Sequence, residues 1–413
     1  MSEASRDKEP ARKGISRRAV LKSAVALPIL RSIVNSTPKK HVAVIGAGAF
    51  GGWTALYLLR SGVRVTLVDA WGPGNSRASS GGETRVIRGT YGADAVYTRM
   101  VARALQLWRE NESRWACKLY HQTGVLWMAP KDDSYEKAAL PILRDAGLKF
   151  EQLSINEAQR RFPQINFDHV NWAIYERDAG YLHARRACQI VLEGFISEGG
   201  QYIQTAVRPG SIDAQAMRSL KTSGGSSIEA DQYVFACGPW LSELFPEVIG
   251  DKIIPTRQEV FFFGAPAGDL LFNEEKMPVW IDHGASFIYG IPGNERRGFK
   301  IADDTRGTRF DPTNGDRTPS AAGIKAARDY IAFRFPRLKD APLLESRVCQ
   351  YENSPDTNLI IDRHPHAENV WFVGGGSGHG FKHGPAVGER AAKLVLGTEA
   401  IDPHFSLVRF AKR

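Results

Sequence analysis

Three glycines and one aspartate could do the first piece of chemistry. Gly46, Gly48 and Gly51 follow the apolar run His41-Val42-Ala43-Val44-Ile45, and Asp69 closes a second apolar run 18 residues after Gly51. Strand, G-x-G-x-x-G turn, helix, strand and acid is the order in which a chain binds a dinucleotide. The turn lets the backbone approach a pyrophosphate at the helix N-terminus, where the macrodipole favours negative charge. The acid ends the second strand, where it accepts hydrogen bonds from an adenosine ribose. A glycine motif alone is a weak signal. Its flanking strands and the acid separate it from an ordinary βαβ turn with chance glycines.

Three later segments bear on which dinucleotide. Ser79-Ser80-Gly81-Gly82-Glu83-Thr84-Arg85-Val86-Ile87-Arg88 is a small-residue loop ending in T-R-x-x-R. Ala236-Cys237-Gly238-Pro239-Trp240 has the form A-x-G-x-W, and Gly374-Gly375-Gly376-Ser377-Gly378-His379-Gly380-Phe381-Lys382 ends in G-x-S-G-H-G-F-K. With the opening turn, these motifs resemble the glycine oxidase and monomeric sarcosine oxidase family, which are D-amino-acid oxidase-like FAD-dependent amine and amino-acid oxidoreductases. The resemblance runs from about His41 to about Gly397, and its nearest match is the N-methyl amino-acid oxidases. It implies an FAD enzyme acting on the CH–NH bond of an amino acid or N-methyl amino acid. The imine product hydrolyses and oxygen is the acceptor. It also implies that Gly238, Gly376, Gly378 and Gly380 join Gly46, Gly48, Gly51 and Asp69 around the cofactor.

The same resemblance assigns roles to charged and aromatic side chains. Arg88 and Lys382 match the positions that hold the substrate carboxylate, and Lys382 also sits against the cofactor. A guanidinium fork binds a carboxylate bidentately and Lys adds a point charge. Arg85 matches a cation lying against the flavin ring, Lys300 the lysine that activates oxygen, and Tyr289 an active-site tyrosine. Arg85, Lys300 and Tyr289 are thus the expected catalytic residues. Cys349, in R-V-C-x-Y, matches the cysteine that holds FAD through a thioether in covalent members. Each has a plainer reading: Lys and Arg are usually exposed, Tyr often sits in a strand core, and free Cys is usually a small buried hydrophobe. Two departures stand out. Gly81 and Gly82 replace a family histidine before the T-R-x-x-R loop, and Asp304 aligns with a second active-site histidine. Both put sarcosine itself in doubt and leave room for a bulkier substrate. Two other functions compete: a periplasmic dehydrogenase passing electrons to a quinone or carrier, and a non-catalytic flavin-binding module. Retention of Arg88, Lys300 and Lys382 argues against the module.

The elements that must position these residues are legible from periodicity. Residues 41–69 form a βαβ unit. Tyr97, Val101, Leu105 and Trp108 recur at helical spacing, so a helix is expected over 94–112. Residues 119–129 alternate toward a strand, and 178–197 carry one apolar helical face. Residues 252–352 read as an antiparallel sheet with a helix over 321–335, and 385–396 as the last helix, with Pro385 in its first turn. The expected fold class is α/β: a Rossmann-type FAD-binding domain built from discontinuous segments, with an inserted antiparallel-sheet α+β substrate domain. The FAD-binding domain would take 41–90, 170–250 and 345–400, and the substrate domain 91–169 and 251–344.

Composition excludes several classes. The chain has 413 residues, of which 43% are hydrophobic and 24% charged, enough for two cores. Of the net charge of +9, residues 1–40 carry +7, leaving a nearly neutral body that lacks the basic bias of a nucleic-acid binder. Ser16-Arg17-Arg18-Ala19-Val20-Leu21-Lys22 resembles the twin-arginine export motif, and the apolar stretch after it is too short to span a membrane. Residues 1–40 therefore read as a leader engaging the twin-arginine machinery, with a periplasmic or exported destination; the alternative is a cytoplasmic protein. Cys117, Cys188, Cys237 and Cys349 form no C-x-x-C, and no metal site is expected. The partner is a small-molecule amino acid, and the protein is expected to be a monomer.

Overall fold

A computed structural model describes residues 39–284 and 286–411. Residues 1–38, most of the leader expected over 1–40, lie outside the described residues. β1 (His41–Ile45) is apolar and β-branched, and all five residues are buried. A strand covered on both faces needs such an unbroken run. α1 (Ala49–Arg60) follows, then β2 (Arg64–Asp69). β2 lies parallel to β1, with Ile45 opposite Val68. On its other side β1 pairs in parallel with Gln232–Phe235, which pairs in parallel with Ala367–Gly374. Gln201–Gln204 and the antiparallel Ile360–His364 close the two edges of this six-stranded sheet.

A second sheet has eight strands, led by the long pair Ile254–Phe263 and Leu343–Asn353. Phe299–Asp303, Phe287–Ile291 and Val279–His283 continue it antiparallel. One junction departs from the expected antiparallel sheet: Val279–His283 pairs in parallel with Val125–Ala129. Trp172–Glu176 and Phe150–Leu153 complete the sheet. The helix Ala321–Arg334 packs on it through Ala327 and Ile331. The boundaries expected at 170 and 345 cut across this sheet, because Trp172–Glu176 and the second half of Leu343–Asn353 hydrogen-bond within it.

Three local expectations change. The helix expected over 94–112 spans Ala95–Trp115, with the Asp94 carboxylate accepting from Val96 N–H at 3.2 Å. The strand expected over 119–129 is broken into Tyr120–His121 and Val125–Ala129, since Gly124 turns the chain at φ +76°. The region 178–197 begins as a strand. Gly180–His183 pairs with Thr84–Ile87 and with Tyr120–His121, and the helix starts only at Ala184. Pairing on both edges fixes these four residues as a strand before the helix. Among the described residues no helix is long and apolar enough to cross a membrane.

Candidate active site

β1 ends at Ile45 and the chain must turn at once into α1. Gly46 takes φ +102°, and a Cβ there would sit 2.3 Å from the Ala236 carbonyl oxygen. A Cβ on Gly51 would fall 1.8 Å from the Gly46 carbonyl oxygen. These two positions are glycine for the turn and for helix–strand packing. Gly48 differs. A Cβ there would meet only Ser80 Oγ, at 3.4 Å, so its bare backbone faces open space. Asp69 braces the same turn. Its Oδ2 accepts from Ala47 N–H at 2.7 Å, and its Oδ1 accepts from Trp71 and Gly72 N–H at 2.8 and 2.7 Å. The carboxylate expected as a ribose acceptor is therefore also a structural tie.

These turns open on a cavity of about 540 Å³, within the usual range for a ligand site. Gly46, Gly48, Asp69, Arg85, Gly238, Gly376, Gly378 and Gly380 all line it, and Gly51 packs behind. Glu352 lines it too and was not singled out in the sequence. Its Oε1 accepts from Gly376 N–H at 3.3 Å, while its buried Oε2 has no hydrogen-bond partner among the described residues. Burial pushes this carboxyl up to about 7. An orphaned buried oxygen and a bare glycine turn are what a polar dinucleotide would satisfy and fill. The residues fit FAD.

A second, smaller cavity of about 40 Å³ shares Arg85, Gly378 and Phe381 with the first. Arg88, Tyr289 and Lys382 line it, together with Asp304, His379 and Phe287. Arg88 is buried. One of its N–H groups donates to the Thr90 carbonyl, and its guanidinium carbon lies 4.5 Å and 4.8 Å from the ring centres of Tyr91 and Trp127. Lys382 Nζ donates to the His379 carbonyl at 2.9 Å. Burial and then Arg88 hold the Lys382 ammonium well below its ordinary range. Among the described residues neither cation has a carboxylate partner. Two buried basic side chains with no ion-paired carboxylate can hold an anion.

Lys300 and Cys349 reach these cavities through Arg85. The Thr84 carbonyl oxygen accepts from Lys300 Nζ and from Arg85 Nη1, each at 2.9 Å. Arg85 Nη2 donates to the Ser79 carbonyl at 2.8 Å and lies 3.3 Å from Cys349 Sγ. Lys300 is buried, and burial followed by Arg85 pushes its ammonium well below the usual lysine range. Its Nζ stands 5.7 Å from the Tyr289 ring centre. Burial pushes the Tyr289 hydroxyl up to about 12.

Sequence reasoning missed the residues that support this arrangement. Tyr91 hydrogen-bonds His383 Nε2 at 2.8 Å and His379 Nδ1 at 3.2 Å. His379 Nε2–H donates to the Thr357 carbonyl at 3.0 Å, so Nδ1 accepts from the Tyr91 hydroxyl. The Tyr91 ring thus stands fixed against Arg88 and, at 5.1 Å, Lys382. Tyr91 is three residues from Arg88, and that proximity was its only sequence signal.

Known proteins resemble this chain over most of its length. The chain is 29% identical to the peroxisomal sarcosine oxidase of Homo sapiens, over 89% of this chain and 94% of that protein. It is 30% identical to the N-methyl-L-tryptophan oxidase of Salmonella dublin, over 91% of this chain and 100% of that one. The crystal structure of L-proline dehydrogenase from P. horikoshii shares the fold, with a TM-score of 0.79 at 22% identity, covering 90% of this chain and 98% of that chain. The match to the family described as FAD dependent oxidoreductase runs over residues 41–394, and the chain belongs to that family.

Proposed function

We propose that the protein oxidises the C–N bond of an α-amino acid or N-methyl amino acid to the imine, with oxygen as acceptor. The observation that carries this reading is the pair of buried basic side chains Arg88 and Lys382, neither ion-paired to a carboxylate among the described residues, in a small cavity that shares Arg85, Gly378 and Phe381 with the larger one. Bound in the larger cavity, FAD supplies the acceptor for the hydride. Arg88 and Lys382 hold the substrate carboxylate, which fixes the direction of the Cα–H bond. Tyr91, Trp127 and Phe287 stack around the Arg88 guanidinium and keep water from it. Arg85 lines both cavities, so its charge favours electron density arriving between them. Tyr289 closes the smaller cavity beside Lys300. Anaerobic mixing tests the substrate class. An amino acid should bleach the flavin absorbance, and the matching decarboxylated amine should not; equal bleaching by both would move the substrate to simple amines.

Cys349 is the proposed attachment point of FAD, supported by the 3.3 Å approach of Arg85 to its sulfur. After acid precipitation the yellow colour should stay with the polypeptide, and Cys349→Ala should release it to the supernatant. Free flavin from the unsubstituted protein would refute the attachment.

A second reading, transfer of electrons to a quinone or carrier, is favoured by one observation. The burial that pushes the Lys300 ammonium below its ordinary range weakens the charge expected to meet oxygen. Export by the twin-arginine route fits either reading and rests on residues 16–22.

A further inference from the structure

The smaller cavity holds one group that the clamp does not use. Asp304 follows the strand Phe299–Asp303 and lines this cavity with Arg88 and Lys382. Its backbone N–H donates to the Phe287 carbonyl at 2.7 Å, and its Oδ1 accepts from the Tyr351 hydroxyl at 2.6 Å. Backbone and side chain are thus pinned, and Oδ2 makes no hydrogen bond among the described residues. Asp304 shares the cavity with both cations yet forms no ion pair within 4 Å of either, among the described residues. A carboxylate present only to neutralise Arg88 and Lys382 would pair with them. Instead the cavity presents positive charge at one place and negative charge at another, as an α-amino acid zwitterion carries them.

We propose that Asp304 binds the cationic amine nitrogen of the substrate through Oδ2, so that the enzyme selects zwitterionic α-amino acids over plain carboxylic acids. The inference rests on the carboxylate clamp proposed above and adds the second contact point. Carboxylate on Arg88 and Lys382, and N–H on Asp304, fix two of the four groups on the α carbon. Together they orient the C–H bond better than the clamp alone. Burial raises the Asp304 carboxyl to about 6, while the Tyr351 hydrogen bond and the charges of Arg88 and Lys382 oppose that rise. At neutral pH and above it is therefore ionised and ready for a cation. Tyr351 acts as a positioning residue for it.

The test uses two acids that no amine oxidation can consume. 2-Aminoisobutyrate and pivalate have the same shape, with an ammonium in one and a methyl group in the other, and neither has an α hydrogen. Each is titrated into the holoenzyme at pH 8 and followed by the change in flavin absorbance. Aminoisobutyrate should bind at least tenfold tighter. Asp304→Asn should abolish that preference while leaving the pivalate Kd within about twofold, which also shows that the variant is folded. Tyr351→Phe should lose part of the preference with pivalate again unchanged. Equal binding of the two acids to the unsubstituted enzyme, or an unchanged preference in Asp304→Asn, overturns the inference and leaves the clamp standing. Binding of neither acid overturns the clamp, and this inference with it.

Discussion

Arg88→Ala should lower kcat/KM for the amino-acid substrate by roughly 10²- to 10⁴-fold. The guanidinium would give the carboxylate two charge-assisted hydrogen bonds, each worth about 1.5–3 kcal/mol, and about 1.4 kcal/mol is a factor of ten. Both KM and kcat should suffer, since a carboxylate that slides also lets the Cα–H bond leave its direction of attack. Arg88→Lys should recover only part. A lysine lacks the planar fork, and it loses the stacking between Tyr91 and Trp127 that holds the head group now. Lys382→Met should cost less, because it removes one point charge. Single-turnover reduction under anaerobic conditions reads these effects without interference from the oxygen step. A loss below tenfold in Arg88→Ala would remove Arg88 from the substrate.

Lys300→Met should slow reoxidation by oxygen by roughly 10²- to 10³-fold, the usual cost of removing one preorganised electrostatic group. Reduction by the substrate should change by less than about tenfold, because the clamp lies on Arg88 and Lys382. The Thr84 carbonyl keeps Arg85 as a partner in the variant, so the strand Thr84–Ile87 is not left with an unsatisfied oxygen. Double-mixing stopped flow separates the two half-reactions. Reoxidation at the original rate would strip Lys300 of its role and favour a carrier as the electron acceptor.

The parts of this site legible in the chain were those defined over a few residues. Gly46, Gly48, Gly51 and Asp69 are read from one short strand–turn–helix–strand segment, and the 378–382 loop is likewise one short segment. What escaped depends on pairing across the chain. Tyr351 and Asp304 meet over 47 positions, and Tyr91 meets His383 over 292. No periodicity encodes such contacts, because strand register is set by which faces are buried in the assembled sheet. Gly180–His183 shows the same limit: the helical face downstream of it extended the expected helix over four residues that two strand partners take. Glu352 was invisible for a different reason. A lone Glu in a strand reads as solvent-exposed, and only burial among the glycine turns pushes its carboxyl up to about 7.

The strand Leu343–Asn353 pairs with Ile254–Phe263 along nearly its whole length, with one irregularity at Phe262/Phe263. Within four consecutive residues it carries Cys349, Tyr351 and Glu352. These reach, respectively, Arg85, Asp304 and the dinucleotide cavity. For anyone redesigning substrate preference, this strand behaves as one indivisible cassette. Adding or deleting a residue upstream of Cys349 would invert all three side chains at once, so specificity changes must be made by side-chain replacement or in the loops around it, and segment swaps between relatives must carry both strands of the pair together.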